Sequence, residues 1–137
     1  MNGKETYFPT LGEALTTNRR FTGLAVRDIG MLASALGRPK ATVFGQDAYP
    51  DIWSKAAALM HSIIRNHPFL DANKRTGTAL TLAFLDRNGV DVTAADHDSL
   101  VAIPVAIANA DLDVGRIAGF LRRAVEDGEA IDARELS

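Results

Sequence analysis

The chain has 137 residues, 47% of them hydrophobic and none of them cysteine. That length fits one domain, which can bury about two thirds of its unfolded surface in a single core. The composition excludes disorder, a disulfide scaffold, a thiolate zinc site and a cysteine nucleophile, and the formal charge of −2, from 15 basic and 17 acidic residues, argues against a general polyanion binder while leaving room for a local basic site.

In chain order, Met1–Thr6 has no apolar stretch after a basic head, so no signal peptide is evident. Weak helical patterns cover Leu11–Arg20 and Arg27–Leu36. Arg19 and Arg20 close the first, where cations suit the C-terminal pole and need no role in a site. Ala41–Pro50 is different: Thr42, Val43 and Phe44 favour strand and Gly45-Gln46-Asp47 favours a turn, which predicts a short hairpin or flap. Trp53, Ala56, Ala57, Met60, Ile63 and Ile64 make one apolar stripe on a helix, with Pro50 and Asp51 as start signals. Pro68 disfavours helical geometry at the residue before it, so His67 is expected just past the helix end. A second long helix opens near Asn73 or Lys74. Leu80, Leu82, Ala83, Phe84 and Leu85 make it apolar over most of its circumference, the pattern of a helix at the centre of a domain. Asn88-Gly89 stops it, with Arg87 placed to meet the dipole.

Ser99–Asn109 is weakly helical, with Asp98 or Ser99 as its cap. It falls in the longest charge-free run, Ser99–Ala110, which is too short to span a bilayer and contains Pro104. Ile117, Phe120, Leu121, Ala124 and Val125 mark a last amphipathic helix, and the acidic tail from Glu126 onward is expected to fray. No repeat, low-complexity tract or linker interrupts the pattern. The expectation is one all-α domain over residues 1–137, in a reducing cytoplasm.

The residues richest in chemistry lie between the two most apolar helices, in His67-Pro68-Phe69-Leu70-Asp71-Ala72-Asn73-Lys74-Arg75. Polar groups at such a junction must be satisfied or functional. The string runs into a helix N-terminus, whose unpaired N–H groups and positive dipole end suit an anion, and Lys74 and Arg75 bring two cations to the same place. His67 is a base that titrates in the neutral range, and Asp71 is a hard oxygen ligand for a divalent cation. This inventory matches phosphate transfer, whose catalysis is mostly positioning and charge stabilisation.

Each of these residues also has a plainer reading. By residue type and placement alone, His67 before a proline fits a capping or core histidine better than a base. Asp71 and Asn73 are good N-caps. Lys74-Arg75 could be a solvated first turn, although cations there oppose the dipole, and that mismatch independently favours an anion ligand. Arg65 fits a phosphate contact and a solvated face about equally. His61 and His67 diverge in direction and are not expected to share a metal. His61 reads as a partly exposed helix residue. His97, between Asp96 and Asp98, reads as loop before a cap rather than as a metal cluster.

The nine-residue string resembles the signature of the Fic/Doc family: His-Pro-Phe, two variable positions, Gly or Ala, Asn, Gly or Lys, Arg. Every fixed position is met. The likeness extends through the flap, the helices on both sides of the string and the closing helix, and it implies a compact Fic-like helical bundle. It also implies roles. His67 would take the proton from a target hydroxyl. Phe69 would anchor the loop, Asp71 would hold magnesium, and Asn73 would line the anion hole. Lys74 and Arg75 would contact nucleotide phosphates. The flap (Phe44, Gly45, Gln46, Asp47, Tyr49) would hold the target segment by strand-like pairing.

Two departures point within the family. The AMP-transferring Fic branch usually has glycine where this chain has Lys74, and a second arginine where it has Thr78. This pattern resembles the Doc branch, whose characterised member is a toxin that transfers the terminal phosphate of ATP to a threonine of translation elongation factor Tu and so arrests translation. The resemblance implies ATP as substrate, Mg2+, a protein substrate with a reactive hydroxyl, and a separate antitoxin whose C-terminal segment covers the site. No Ser/Thr-x-x-x-Glu-Gly/Asn self-inhibitory helix is found in the sequence, which favours control by a separate partner. The alternatives are Fic-type transfer of AMP or another nucleotide fragment, and a non-catalytic nucleotide- or peptide-binding module. Neither membrane association nor direct nucleic-acid binding is expected.

Overall fold

Side-chain caps set where most of the helices begin. In the computed structural model, which describes residues 5–137, Thr10 and Glu13 form a reciprocal capping box on α1 (Leu11–Arg19). Asp28 caps α2 (Ile29–Gly37), and Asp51 with Ser54 caps α3 (Ile52–Asn66). Helix α4 (Asn73–Arg87) has no side-chain cap. Asp96 caps α5 (His97–Asn109) and Asp113 caps α6 (Val114–Val125). Residues 1–4, part of the stretch read above for a leader, lie outside the described residues.

Between α2 and α3, a 3-10 turn at Arg38–Lys40 leads into a hairpin of β1 (Thr42–Val43) and β2 (Gln46–Asp47), with Thr42 opposite Asp47 and Val43 opposite Gln46. Its turn residues Phe44 and Gly45 both have positive φ, 51° and 76°, the geometry that matches strand twist in two-residue hairpins. The expected architecture holds: all-α, with one short antiparallel hairpin among the described residues.

The centre of the bundle is α3, where α4 was expected. Lys55 through Met60 are all buried, and α3 packs against α2, α4, α5 and α6. Helix α4 turns only one face inward: Ala83, Asp86 and Arg87 are exposed and Leu82 is half-buried. Gly77 lets the two helices approach, since a Cβ there would lie 3.3 Å from Ile63 Cγ2.

Two other expectations are corrected. The cap of α5 is Asp96, whose carboxylate accepts from Ser99 N–H, so His97 lies inside the helix and not in a loop before it. The acidic tail packs back instead of fraying. Ile131 N–H donates to Ser99 Oγ at 2.9 Å, Arg123 reaches both Glu129 and Glu135, and Ile131 and Leu136 are buried. Among the described residues no helix is long and apolar enough to cross a membrane.

Candidate active site

Proline has no N–H and its ring excludes helical geometry one residue earlier. Helix α3 therefore stops before Pro68, and His67 is its C-cap at φ 51°, ψ 53°. A non-glycine residue pays a steric penalty in this left-handed region, so it persists only where its surroundings over-determine it. Here each backbone polar group around it has a partner. His67 N–H returns to the Ile63 carbonyl at 3.2 Å. The Asn66 and His67 carbonyls accept from Arg27 Nη2 (2.9 Å) and Nε (2.7 Å). The Pro68 carbonyl accepts from the N–H groups of Arg27 and Asp28, and Leu70 N–H donates to the Ala25 carbonyl. Val26 faces Phe69 in an antiparallel bridge. Phe69 is fully buried, and its own backbone pair goes to one side chain: Asn73 Oδ1 accepts from Phe69 N–H (3.0 Å) and Asn73 Nδ2 donates to the Phe69 carbonyl (2.9 Å).

That double contact fixes the amide orientation, because a flipped amide would set donor against donor and acceptor against acceptor. The second hydrogen of Asn73 Nδ2 is then left for His67 Nδ1, 3.2 Å away. On these partners Nδ1 is the acceptor, and the neutral imidazole carries its proton on Nε2. The ring is thus held at the start of α4. Asn73 is 5% exposed and both hydrogens of its Nδ2 are engaged, so what it offers an anion is its backbone N–H.

Ala72, also left-handed at φ 63°, leads into α4, and no side chain caps the first turn. Lys74 and Arg75 are exposed there and enter no ion pair among the described residues. The Arg75 guanidinium lies over the Phe21 ring, 5.5 Å from its centroid. Asp71 is exposed, and its carbonyl is tied to Asn18 Nδ2 (3.0 Å), which also reaches Thr76 Oγ1. No cluster of three or more His or acidic residues suited to a metal occurs among the described residues. A single outward carboxylate beside an anion cradle therefore suits a hard cation that arrives with phosphate oxygens of its own. A cavity of about 450 Å³ between α1 and Thr22–Val26 adjoins the site through Asn18 and Val26.

The hairpin is moored by side chains behind it. Lys55, 6% exposed, pairs with Asp47 (Nζ to Oδ2, 3.1 Å) and donates to the Tyr49 carbonyl. Arg38 donates to Tyr49 Oη (2.8 Å) and Ser62 Oγ (3.0 Å), and its Nη1 meets His61 Nδ1 at 2.7 Å. Asp47 and Tyr49 are thus attachment points, while Phe44, fully exposed, stands at the tip with Gly45 and Gln46 beside it. Burial, then Arg38 and Arg65, hold the His61 pKa below its ordinary value. His61 is half-buried in this polar cluster. Arg65 turns to the Ile107 carbonyl near the end of α5.

Arg27, Asn18, Lys55 and Arg38 were not singled out from the sequence. Lys55 falls on the side of α3 opposite the apolar stripe, so its burial is a tertiary feature without a local signal. Asn18 and Arg27 act on backbone carbonyls distant in sequence, which no local pattern encodes.

The fold and site define a helical bundle that delivers an imidazole to an uncapped helix N-terminus flanked by cations, with a hairpin beside α3. The profile of the Fic/DOC family matches residues 6–85. The chain is 46% identical over 106 residues to Toxin Doc of Mycolicibacterium smegmatis, covering 74% of this chain and 82% of that one. It is 34% identical over 111 residues to Protein kinase doc of Escherichia phage P1, covering 80% of this chain and 86% of the relative. The chain belongs to the Fic/DOC family, on its Doc branch, as the resemblance at residues 67–75 implied.

Proposed function

We propose that this chain is the toxin of a toxin–antitoxin pair and transfers the terminal phosphate of ATP to a hydroxyl of a target protein in the cytoplasm, arresting translation. The observation that supports this most is the seating of His67 against the open N-terminus of α4. The triphosphate rests on the first-turn N–H groups, including that of Asn73, with Lys74 and Arg75 balancing its charge. Asp71 would hold the magnesium that accompanies the nucleotide, whose charge would help neutralise the phosphates. The hairpin tip around Phe44 pairs with the target segment. The target oxygen forms a bond to the γ-phosphorus as the bond to the bridging oxygen of ADP breaks, and the hydroxyl proton passes to His67. Uptake at Nε2 requires the ring proton to move to Nδ1, which ends the Asn73 contact, since Nδ1–H would then face another N–H.

Support for the phosphoryl reading comes from Lys74 and Thr78 and from the names of the relatives, one a toxin and the other a protein kinase. Elongation factor Tu is the target that the Doc likeness suggests, and a separate antitoxin is the expected control. ATP labelled at the α or the γ phosphate, incubated with a cell lysate and with elongation factor Tu, tests this. Transfer of γ label is expected, reduced about 10²–10⁴-fold in His67→Ala. Label carried only from the α position would replace this reading with AMP transfer. Growth arrest that survives His67→Ala would leave only a binding module.

A further inference from the structure

We infer that Arg27 is a positioning residue for the His67 chemistry, acting through the two carbonyls at the end of α3. This inference rests on the catalytic reading of His67, and it adds a residue which that reading does not contain.

The carbonyls of Asn66 and His67 are left without helical partners where α3 ends, and they sit at its negative pole. A guanidinium meets both: Nε donates to the His67 carbonyl at 2.7 Å and Nη2 to the Asn66 carbonyl at 2.9 Å. The planar fork suits two adjacent acceptors, which a lysine ammonium matches less well. The same residue's backbone N–H donates to the Pro68 carbonyl at 2.8 Å, so Arg27 touches three consecutive residues of the loop. The turn it holds is the left-handed one at His67 (φ 51°). If that turn relaxes, the imidazole leaves Asn73 and the start of α4. Arg27 itself is on the outer side of the loop and exposed, in an ion pair with no carboxylate among the described residues. Its side-chain bonds go to the loop backbone alone.

The test compares Arg27→Ala and Arg27→Lys with the wild-type chain, in transfer from ATP and in the ¹⁵N resonances of the His67 ring. Because Arg27 contacts no proposed phosphate ligand, KM for ATP is expected to stay within about twofold. The turnover rate falls roughly 10–100-fold in Arg27→Ala, the scale of a misplaced catalytic group, and less in Arg27→Lys, which keeps one donor. In wild type, Nδ1 gives the signal of a hydrogen-bonded acceptor and Nε2 that of a protonated nitrogen. In Arg27→Ala this pattern collapses toward the averaged signal of a mobile ring. An unchanged turnover rate, or an unchanged His67 ring spectrum, overturns the inference. The ring spectrum needs no substrate, so it decides the role of Arg27 even where no γ-phosphate transfer is found. Absence of transfer in wild type counts against the phosphoryl reading alone. Should Arg27→Ala fail to fold, Arg27→Lys carries both readouts.

Discussion

Replacing Asn73 with alanine separates two roles that the family signature runs together. If the side chain served only to donate to a bound phosphate, its removal would leave the stability of the ligand-free protein within about 0.5 kcal/mol of wild type. The structure gives the side chain a structural role instead, since it holds Phe69 N–H at 3.0 Å and the Phe69 carbonyl at 2.9 Å. Phe69 is fully buried, so truncation orphans a donor and an acceptor where water has no ready access. Each such group costs about 1–3 kcal/mol, which gives roughly 2–6 kcal/mol for the pair. One kcal/mol moves the melting temperature of a small domain by roughly 2–8 °C, so even the low end is a shift of several degrees. Urea titration followed by circular dichroism, without nucleotide, measures this directly. A midpoint in Asn73→Ala indistinguishable from wild type at equal slope would refute the reasoning. Asn73→Asp sharpens the comparison: it keeps an acceptor for Phe69 N–H but sets a second acceptor against the Phe69 carbonyl, so it too is expected to destabilise.

Lys55→Met keeps the stem packed in α3 and removes the amine that Asp47 and the Tyr49 carbonyl share. Faster amide exchange across residues 42–49 and a raised KM for the protein target, at nearly constant KM for ATP, are expected, with about 1 kcal/mol lost where the half-buried Tyr49 carbonyl loses its donor. Unaltered exchange in the hairpin would show that the amine moors nothing. His61 bears on pH. Burial, Arg38 and Arg65 depress its pKa in the fold, against the opposing pull of Asp111. The unfolded chain therefore binds the proton more readily, and the His61 contribution is fully present above the ordinary value near 6.5 and is lost as pH falls below it. His61→Gln, which still offers Arg38 an acceptor, is expected to flatten this slope in urea titrations at about pH 5 and pH 7.5. Equal slopes in the two proteins would assign the acid sensitivity elsewhere.

What could be read in the sequence was what local rules encode. The stripe from Trp53 to Ile64 and the stop at Pro68 placed His67 beyond the end of α3, where the structure has it. The strand formers and turn residues of Ala41–Pro50 gave the hairpin. Misreadings arose where tertiary contacts outweighed composition. The apolar run of Leu80–Leu85 suggested a central helix, but α3 takes the centre because small alanines at residues 56–58 let neighbours close in on it. The tail looked acidic enough to fray, yet Glu129 and Glu135 converge on Arg123. Asp98 and Ser99 looked like good caps, but Asp96 takes the role, with Ser99 donating both N–H and hydroxyl to it. The contacts of Arg27 and Asn18 with loop carbonyls distant in sequence have no sequence signal at all.

Two helix ends meet at the His67 loop, and the molecule treats them oppositely. The C-terminal end of α3 is satisfied by a cation, Arg27, as its negative pole requires. The N-terminal end of α4 is left bare, although the sequence supplies a side-chain cap at each of the other five α-helices among the described residues. A cap is worth about 1 kcal/mol, and each cation at the wrong pole costs about 0.3–1 kcal/mol. With Lys74 and Arg75 both present, the open end therefore forgoes roughly 2–3 kcal/mol relative to a capped, uncharged first turn. Nor could a cap be restored by one substitution, because Ala72 is held in the left-handed region and an N-cap needs extended backbone. A domain of this size has a net stability of about 5–15 kcal/mol, so the deficit is a sizeable fraction of the whole. An anion on that end would remove the deficit, which is the physical argument for the proposed phosphate site, and the imidazole held beside it by Asn73 is where that proposal puts its base.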